Sequence, residues 1–455
     1  MSNRFSDILF QLVHSLEKSE KRHFKLYIKR SSAKQDLKII QLFDALDKLN
    51  DYDDKLLLKK MPGISKTQLA NLKNHLYKQL LASLRLLKTT DKTKQMAEEA
   101  LEISGHIDRV TRLSNLALLL YRWFVMYGHA RNEQDEKELN TFFKNYLPAE
   151  VHEINGFYEK LYLYQSYCWY AFIRQDFLMY YRYSQKWIDL FEEQPVMKEV
   201  ETGHYIKGIH TLLNAFFDLR YFEKFETVLK KFELFSRTDI AKRHDNFRTH
   251  TSIYINTAKI NQHLMTGSFA EGLKLVPSIE KNLEEYSLFV DRHRILVFNY
   301  KIATLYFGAG RHEAAIDYLQ KIINGPGDLR IDLQCYARLL HMMAHYEMGN
   351  YTIIESLIKS VYRFMAKMKN LTVVEEEIFR FIRDSFNVSP KKIKPELEKF
   401  LDKIKHLEKD RYETRSFAYL DVISWVESKV YNKTMSEIIF DKYLNRKKRK
   451  LAKAA

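Results

Sequence analysis

The stretch NYKIATLYFGAGRHEAAIDYLQKIINGPG, residues 299–327, constrains the fold more than any other. Ile302, Leu305 and Tyr306 share one face of a helix, Gly310 breaks it, and Ala315, Ile316, Leu319, Ile322 and Ile323 share the face of a second helix. Two amphipathic helices joined by a tight turn form a hairpin whose apolar faces need neighbours. The punctuation recurs. Aligning the turn before each return helix puts Phe177, Phe222, Phe269, His312 and Tyr351 at one position, with spacings of 45, 47, 43 and 39 residues. A chain that repeats such a unit buries its faces by stacking each hairpin on the next.

The repeats are not uniform. Gly267-Ser268, Gly310-Arg311 and Gly349-Asn350 carry a turn glycine, whereas Gln175-Asp176 and Arg220-Tyr221 do not. Tyr180 and Phe225 stand where the return helix of 299–327 has small Ala315, so those helices are expected to pack wider. Pro277 falls inside the third return helix and is expected to kink or shorten it. With 13 glycines and 7 prolines among 455 residues, breakers are scarce and the chain reads as all-α. The longest apolar run, Leu116–Gly128, contains Arg122 and is too short to span a bilayer, so no membrane insertion is expected. The N-terminus mixes polar with apolar residues and does not read as a signal peptide. Cys168 and Cys335 lie far apart in apolar helical patterns, which suits a reducing, cytoplasmic location.

Unit 299–327 resembles a tetratricopeptide repeat, with Gly310 at the family's turn glycine, Ala315 at the small residue of the second helix and Tyr306 at the large residue of the first; the resemblance extends more weakly over 157–370. It implies a right-handed α-solenoid with a concave groove lined by the first helix of each pair. Carried over residue by residue, the groove comprises Tyr162, Gln165, Trp169, His210, Asn214, Asn261, Tyr300, Thr304, Met343 and Tyr346. Asn214 and Asn261 hold the same position in successive units, where amides are suited to bond a bound peptide's backbone. The Lys/Arg set with which chaperone-binding members of the family hold a terminal carboxylate is absent.

Charge divides the chain. Residues 1–94 carry 20 Lys/Arg against 10 Asp/Glu, residues 388–455 carry 18 against 10, and the middle carries 36 against 38. The expected organisation is a basic N-terminal helical domain (1–94), tetratricopeptide-like repeats (95–387), a C-terminal helical cap (388–445) and a basic tail (446–455). In the first domain, helices are expected over about 4–17, 19–30 (with Ser19 as N-cap), 36–49, 53–61 and from Ser65 to about Lys88, the last opened by a Ser65/Gln68 capping box. Lys21, Arg22, Lys25, Lys29 and Arg30 crowd the 19–30 helix around a buried side of Phe24, Tyr27 and Ile28. Residues 56–81 resemble a helix-turn-helix, which implies that Lys66, Thr67, Gln68, Asn71 and Asn74 face base edges, with Lys73 on the same basic helix. Later elements are expected at 96–127, ended by Gly128-His129, at 132–147, in a helix through Tyr419, Val422, Ile423, Val426 and Val430, and over 435–444. The run Arg446, Lys447, Lys448, Arg449 and Lys450 is expected to be disordered when free.

No phosphate-binding glycine loop, nucleophile elbow or cysteine pair with metal spacing is present. His341 and His345 share a helix face, but His345 aligns with Tyr306 and His263 at the packing position of the repeat. Residues 157–191 hold 14 aromatics in 35 residues, read as core filling between long helices or as an aromatic wall. These features predict a protein without a cofactor, metal or catalytic residues, and with no small-molecule substrate evident. The expected function is a helical-repeat scaffold that binds a polypeptide in its groove while its basic ends contact an anionic partner. The alternative is a nucleic-acid-binding regulator, for DNA or RNA and with the ribosome as one such partner, using the N-terminal helices and the C-terminal tail.

Overall fold

The computed structural model describes residues 8–31, 34–50, 52–62, 64, 109–130, 132–147, 154–285, 291–325, 329–368, 371–386, 388, 392–408, 410 and 412–454, with scattered positions between 68 and 83. All regular structure among them is helical. The chain divides into two compact units, residues 1–105 and 106–455. Among the described residues no helix is long and apolar enough to cross a membrane.

The first unit contains helices Ile8–Ser15, Lys18–Ser31, Lys34–Asp47 and Asp54–Lys60. The stripe Leu9, Val13 and Leu16 packs with Phe24, Ile28, Leu42, Phe43 and Leu46 into a core that takes in Leu69, Leu76 and Leu80. The second helix begins before Ser19. The Glu17 backbone N–H donates to the Glu20 carboxylate (2.9 Å), so a charged acceptor displaces the expected serine cap. Ser65, Lys66, Thr67, Asn71 and Asn74, and with them the expected capping box and most of the base-facing positions, lie outside the described residues.

In the second unit, helix Arg109–Tyr127 is ended by Gly128 in the left-handed region (φ 78°), and Asn132 caps helix Glu133–Tyr146 by accepting the Asp135 N–H. Hairpins then follow. Helices Phe157–Ile173, Thr202–Asp218, Asp245–Thr266, Arg292–Gly308 and Ile331–Glu347 each lead into a return helix, and these begin at Phe177, Phe222, Phe269, His312 and Tyr351. Two residues before each start, the backbone is left-handed: Gln175 at 58°, Arg220 at 55°, Gly267 at 73°, Gly310 at 73° and Gly349 at 70°. The units without glycine therefore keep the same turn. Asp176 N–H reaches back to the Ala171 carbonyl and Tyr221 N–H to Phe216, as Arg311 N–H does to Tyr306. These bonds satisfy carbonyls that the helix end leaves open, and they hold a conformation that costs a side chain about 1–2 kcal/mol.

Pro277 splits the third return helix into Phe269–Leu273 and Val276–Glu285. Proline lacks the N–H that would bond to Leu273, and it sits stably in the first turn of the second piece. Tyr180 and Phe225 are fully buried. Two expectations near the C-terminus need correction. The helix through Tyr419 and Val430 is two helices, Thr414–Tyr419 and Val422–Val430, because the Asp421 carboxylate caps the second by accepting the Ser424 N–H (3.0 Å). The cationic run is helical, lying in Met435–Ala454. No breaker interrupts that stretch, Lys, Arg, Leu and Ala are strong helix formers, and the N-terminal half is anchored. Ser436 Oγ donates to the Gly267 carbonyl, and Tyr443 meets Phe222 edge-on. Residues 388–455 lie within the second unit.

Candidate functional site

The first helices of successive hairpins converge on a cavity of about 220 Å³ in the second unit. Each contributes a stripe at helical spacing. Helix Thr202–Asp218 presents Lys207, His210, Asn214 and Asp218, and helix Arg292–Gly308 presents Arg294, Val297, Lys301 and Thr304. Tyr121, Phe124, Trp169 and Phe172 form an aromatic side, while Tyr419, Met435 and Ile439 from the C-terminal helices close another. Gly267 is required at this closure, since a Cβ there would lie 2.6 Å from the Ser436 carbonyl oxygen.

Six of the ten groove positions read from the sequence line this cavity: Trp169, His210, Asn214, Asn261, Tyr300 and Thr304. Tyr162 and Gln165 face His204 instead, the first edge-on at 5.6 Å and the second by a hydrogen bond of 3.0 Å. Met343 is core, and Tyr346 packs among Trp425 and Phe381. The aromatic-rich stretch serves twice: Trp187 and Phe191 are fully buried, while Trp169, Phe172, Phe177 and Tyr180 line the cavity.

The two asparagines bond to each other. Lys301 Nζ donates to Asn261 Oδ1 (2.6 Å), Asn261 Nδ2 to Asn214 Oδ1 (3.5 Å), and Asn214 Nδ2 to His210 Nε2 (3.2 Å). The His210 ring stacks on Tyr254 at 3.9 Å, and the Tyr254 hydroxyl accepts from Arg294 Nη2 (2.7 Å). One polar network thus runs across three helices. Burial, with Arg294 and other cations adding to it, holds His210 far below the usual histidine range, so it is neutral. Burial also pushes Lys207 and Lys301 down to about 8, and Asp218 up to about 7.

At one edge, Arg330 is held in the left-handed region (φ 47°) and is buried. Its guanidinium makes two 2.9 Å bonds to Asp332, donates to the Tyr419 hydroxyl and to His293 Nε2 (3.2 Å), and lies 4.7 Å from the Phe124 ring centre. Gly128 makes room for the pair, because a Cβ there would meet the Asp332 carboxylate at 2.5 Å. Burial opposes the Arg330 charge, yet Asp332 raises its pKa above the usual arginine value.

The basic ends are differently arranged. Lys21 pairs with Asp47 and Lys25 with Asp44, each at 2.6 Å, and Lys73 lies over the Tyr52 ring at 4.5 Å. Arg22 is exposed, as are Arg446, Lys447 and Lys448 on their helix. Lys66 and the side chains of Lys29, Arg30, Arg449 and Lys450 lie outside the described residues. His341 and His345 stand edge-on at 4.6 Å, and burial pushes His341 down to about 4. Among the described residues no group of three or more His, Cys, Asp or Glu is placed to hold a metal. Cys168 and Cys335 are free and buried, and burial pushes the Cys168 thiol up to about 12.

Sequence reasoning did not single out Lys207, Asp218, Arg220, His293, Arg294, Lys301 or Arg330. The signal was present for Lys207 and Lys301, each a lone lysine within an apolar helical pattern, YIKGIHTLLNAFFDLR and FNYKIATLYF, whereas His293 and Arg294 stand in the polar run Asp291-Arg292-His293-Arg294 and gave none. Compared with known proteins, the chain matches no family model, no curated protein and no solved structure.

Proposed function

We propose that this protein is a non-catalytic helical-repeat scaffold that binds a polypeptide partner on the first-helix faces of its hairpins, in the manner of a tetratricopeptide-like solenoid. The observation that carries the reading is the convergence of Trp169, His210, Asn214, Asn261, Tyr300 and Thr304, from four separate helices, on one cavity. Such convergence suits recognition, since rigid helices hold polar groups at fixed positions among aromatic walls. The C-terminal helices take up one side of the space, and the cavity is small. It therefore admits a side chain or chain terminus of the partner rather than an extended segment. The nucleic-acid alternative draws less support, because Lys21 and Lys25 are already neutralised by carboxylates of the neighbouring helix. Its best surface is the exposed Arg446–Lys448 stretch.

The test is purification of the full chain at low salt from the cells that make it, with and without nuclease. It compares the parent with Asn261→Leu and with a variant carrying Arg446→Gln, Lys447→Gln and Lys448→Gln. The expected result is a defined protein that resists nuclease and is lost from Asn261→Leu alone. Nucleic acid lost from the triple variant, with no protein dependent on Asn261, would overturn the reading in favour of the alternative.

A further inference from the structure

We infer that the cavity is a binding site for a small, ring-bearing organic anion, with its carboxylate or phosphate group held by Lys207 and Arg294 and its ring against Tyr121 and Trp169. This goes beyond the scaffold reading and stands on the cavity alone.

Lys207, Arg220, Arg294, Lys301 and Arg330 line the cavity, against Asp218 and Asp421. Arg330 is taken up by Asp332, which leaves four cations facing two carboxylates. Lys207 has no hydrogen-bond or ion-pair partner among the described residues; its ammonium lies 4.3 Å from the Tyr121 ring centre and 5.3 Å from that of Trp169. Lys207 is thus a partly buried charge without a counter-charge, which is costly and marks a place where a counter-charge binds.

Arg294 Nε, Arg220 Nη1, His293 Nδ1 and Asp218 Oδ2 are buried without partners among the described residues, and all four residues line the cavity. His293 Nε2 accepts from Arg330, so its Nδ1 carries the proton. Three of the four unpaired positions are therefore donors, so the polar groups around the cavity are short of acceptors rather than of donors.

About 220 Å³ exceeds the ~150 Å³ of a cavity that holds benzene, and falls below the ~300 Å³ at which drug-sized pockets begin. Tyr121 meets Trp169 at 4.9 Å with the rings tilted by 50°, and Phe124 stacks on Trp169 at 5.8 Å, giving an aromatic side next to the Lys207 ammonium. A single ring with one acidic group meets both features. Inorganic phosphate meets only the charge, and a neutral arene only the wall.

The test uses the full chain and phenyl phosphate, with benzoate, inorganic phosphate and phenol as comparators, read by calorimetric titration and by thermal unfolding. Phenyl phosphate and benzoate are expected to bind with millimolar or better dissociation constants and to raise the unfolding temperature, with inorganic phosphate and phenol each weaker by roughly tenfold or more. Lys207→Met is expected to weaken phenyl phosphate by at least about tenfold while the free variant unfolds no earlier than the parent, which separates lost binding from lost folding. Exposed Lys230→Met is the control and leaves binding unchanged. Absence of heat and of any thermal shift with both aromatic anions at ~10 mM, or equal binding by parent and Lys207→Met, overturns the inference. A partner protein that depends on Asn261 neither supports nor removes this result, so the two readings fail separately.

Discussion

The first unit and the second unit treat positive charge in opposite ways. Lys21 and Lys25 lie on a helix face with Asp47 and Asp44 within 2.6 Å, and all four side chains keep substantial exposure. Lys207 and Lys301 lie in the cavity of the second unit, where burial pushes both down to about 8 and carboxylates are too few to match them. Water and a nearby carboxylate make a surface lysine almost free of consequence. The same ammonium in a cavity carries a desolvation penalty that only a counter-charge removes. The basic composition of a chain therefore says little about where its cations act; their surroundings decide it.

The largest test of this contrast removes the partner of a buried cation. Asp332→Asn leaves the Arg330 guanidinium without its carboxylate, and denaturant unfolding is expected to show a loss of about 3–5 kcal/mol. The next removes an unmatched cation. Lys207→Met is expected to stabilise the protein at pH 7, by about 3 kcal/mol on the conversion of pKa shift into free energy. Its sign with pH is definite. The folded value, about 8, lies below the unfolded 10.5, so the native state binds fewer protons across that interval and the parent gains stability as pH rises through it. The advantage of Lys207→Met should thus be full below pH 8 and fade towards 10.5, as unfolding curves at several pH values would reveal. The smallest effect belongs to the first unit. Asp44→Asn and Asp47→Asn should each cost no more than about 1 kcal/mol and less in high salt; a larger, salt-insensitive loss would break the comparison.

Much of the hairpin architecture was legible because its signals are local. Return helices start at the five aligned positions, and Pro277 interrupts one of them as its missing N–H requires. The turns at Gln175 and Arg220 were less legible. Glycine announces a left-handed residue, whereas glutamine and arginine adopt that conformation here under the hold of helix-end hydrogen bonds. The site was legible in part. The tetratricopeptide resemblance put Trp169, His210, Asn214, Asn261, Tyr300 and Thr304 on helix faces that line the cavity, but it had no means of telling that Tyr162, Gln165, Met343 and Tyr346 would be covered by other neighbours.

By itself the sequence determined the helical class, the register of the hairpins and the lone lysines, Lys207 and Lys301, inside apolar stripes, because helix periodicity and turn chemistry act over a few residues. Only the tertiary structure decided that those charges meet, that Arg330 finds Asp332 and Tyr419, and that the C-terminal helices close the cavity through Ser436 and Ile439. Residues 207, 294 and 439 are brought together by packing between distant helices. The free energy of a buried charge is set by that company, which no local pattern encodes.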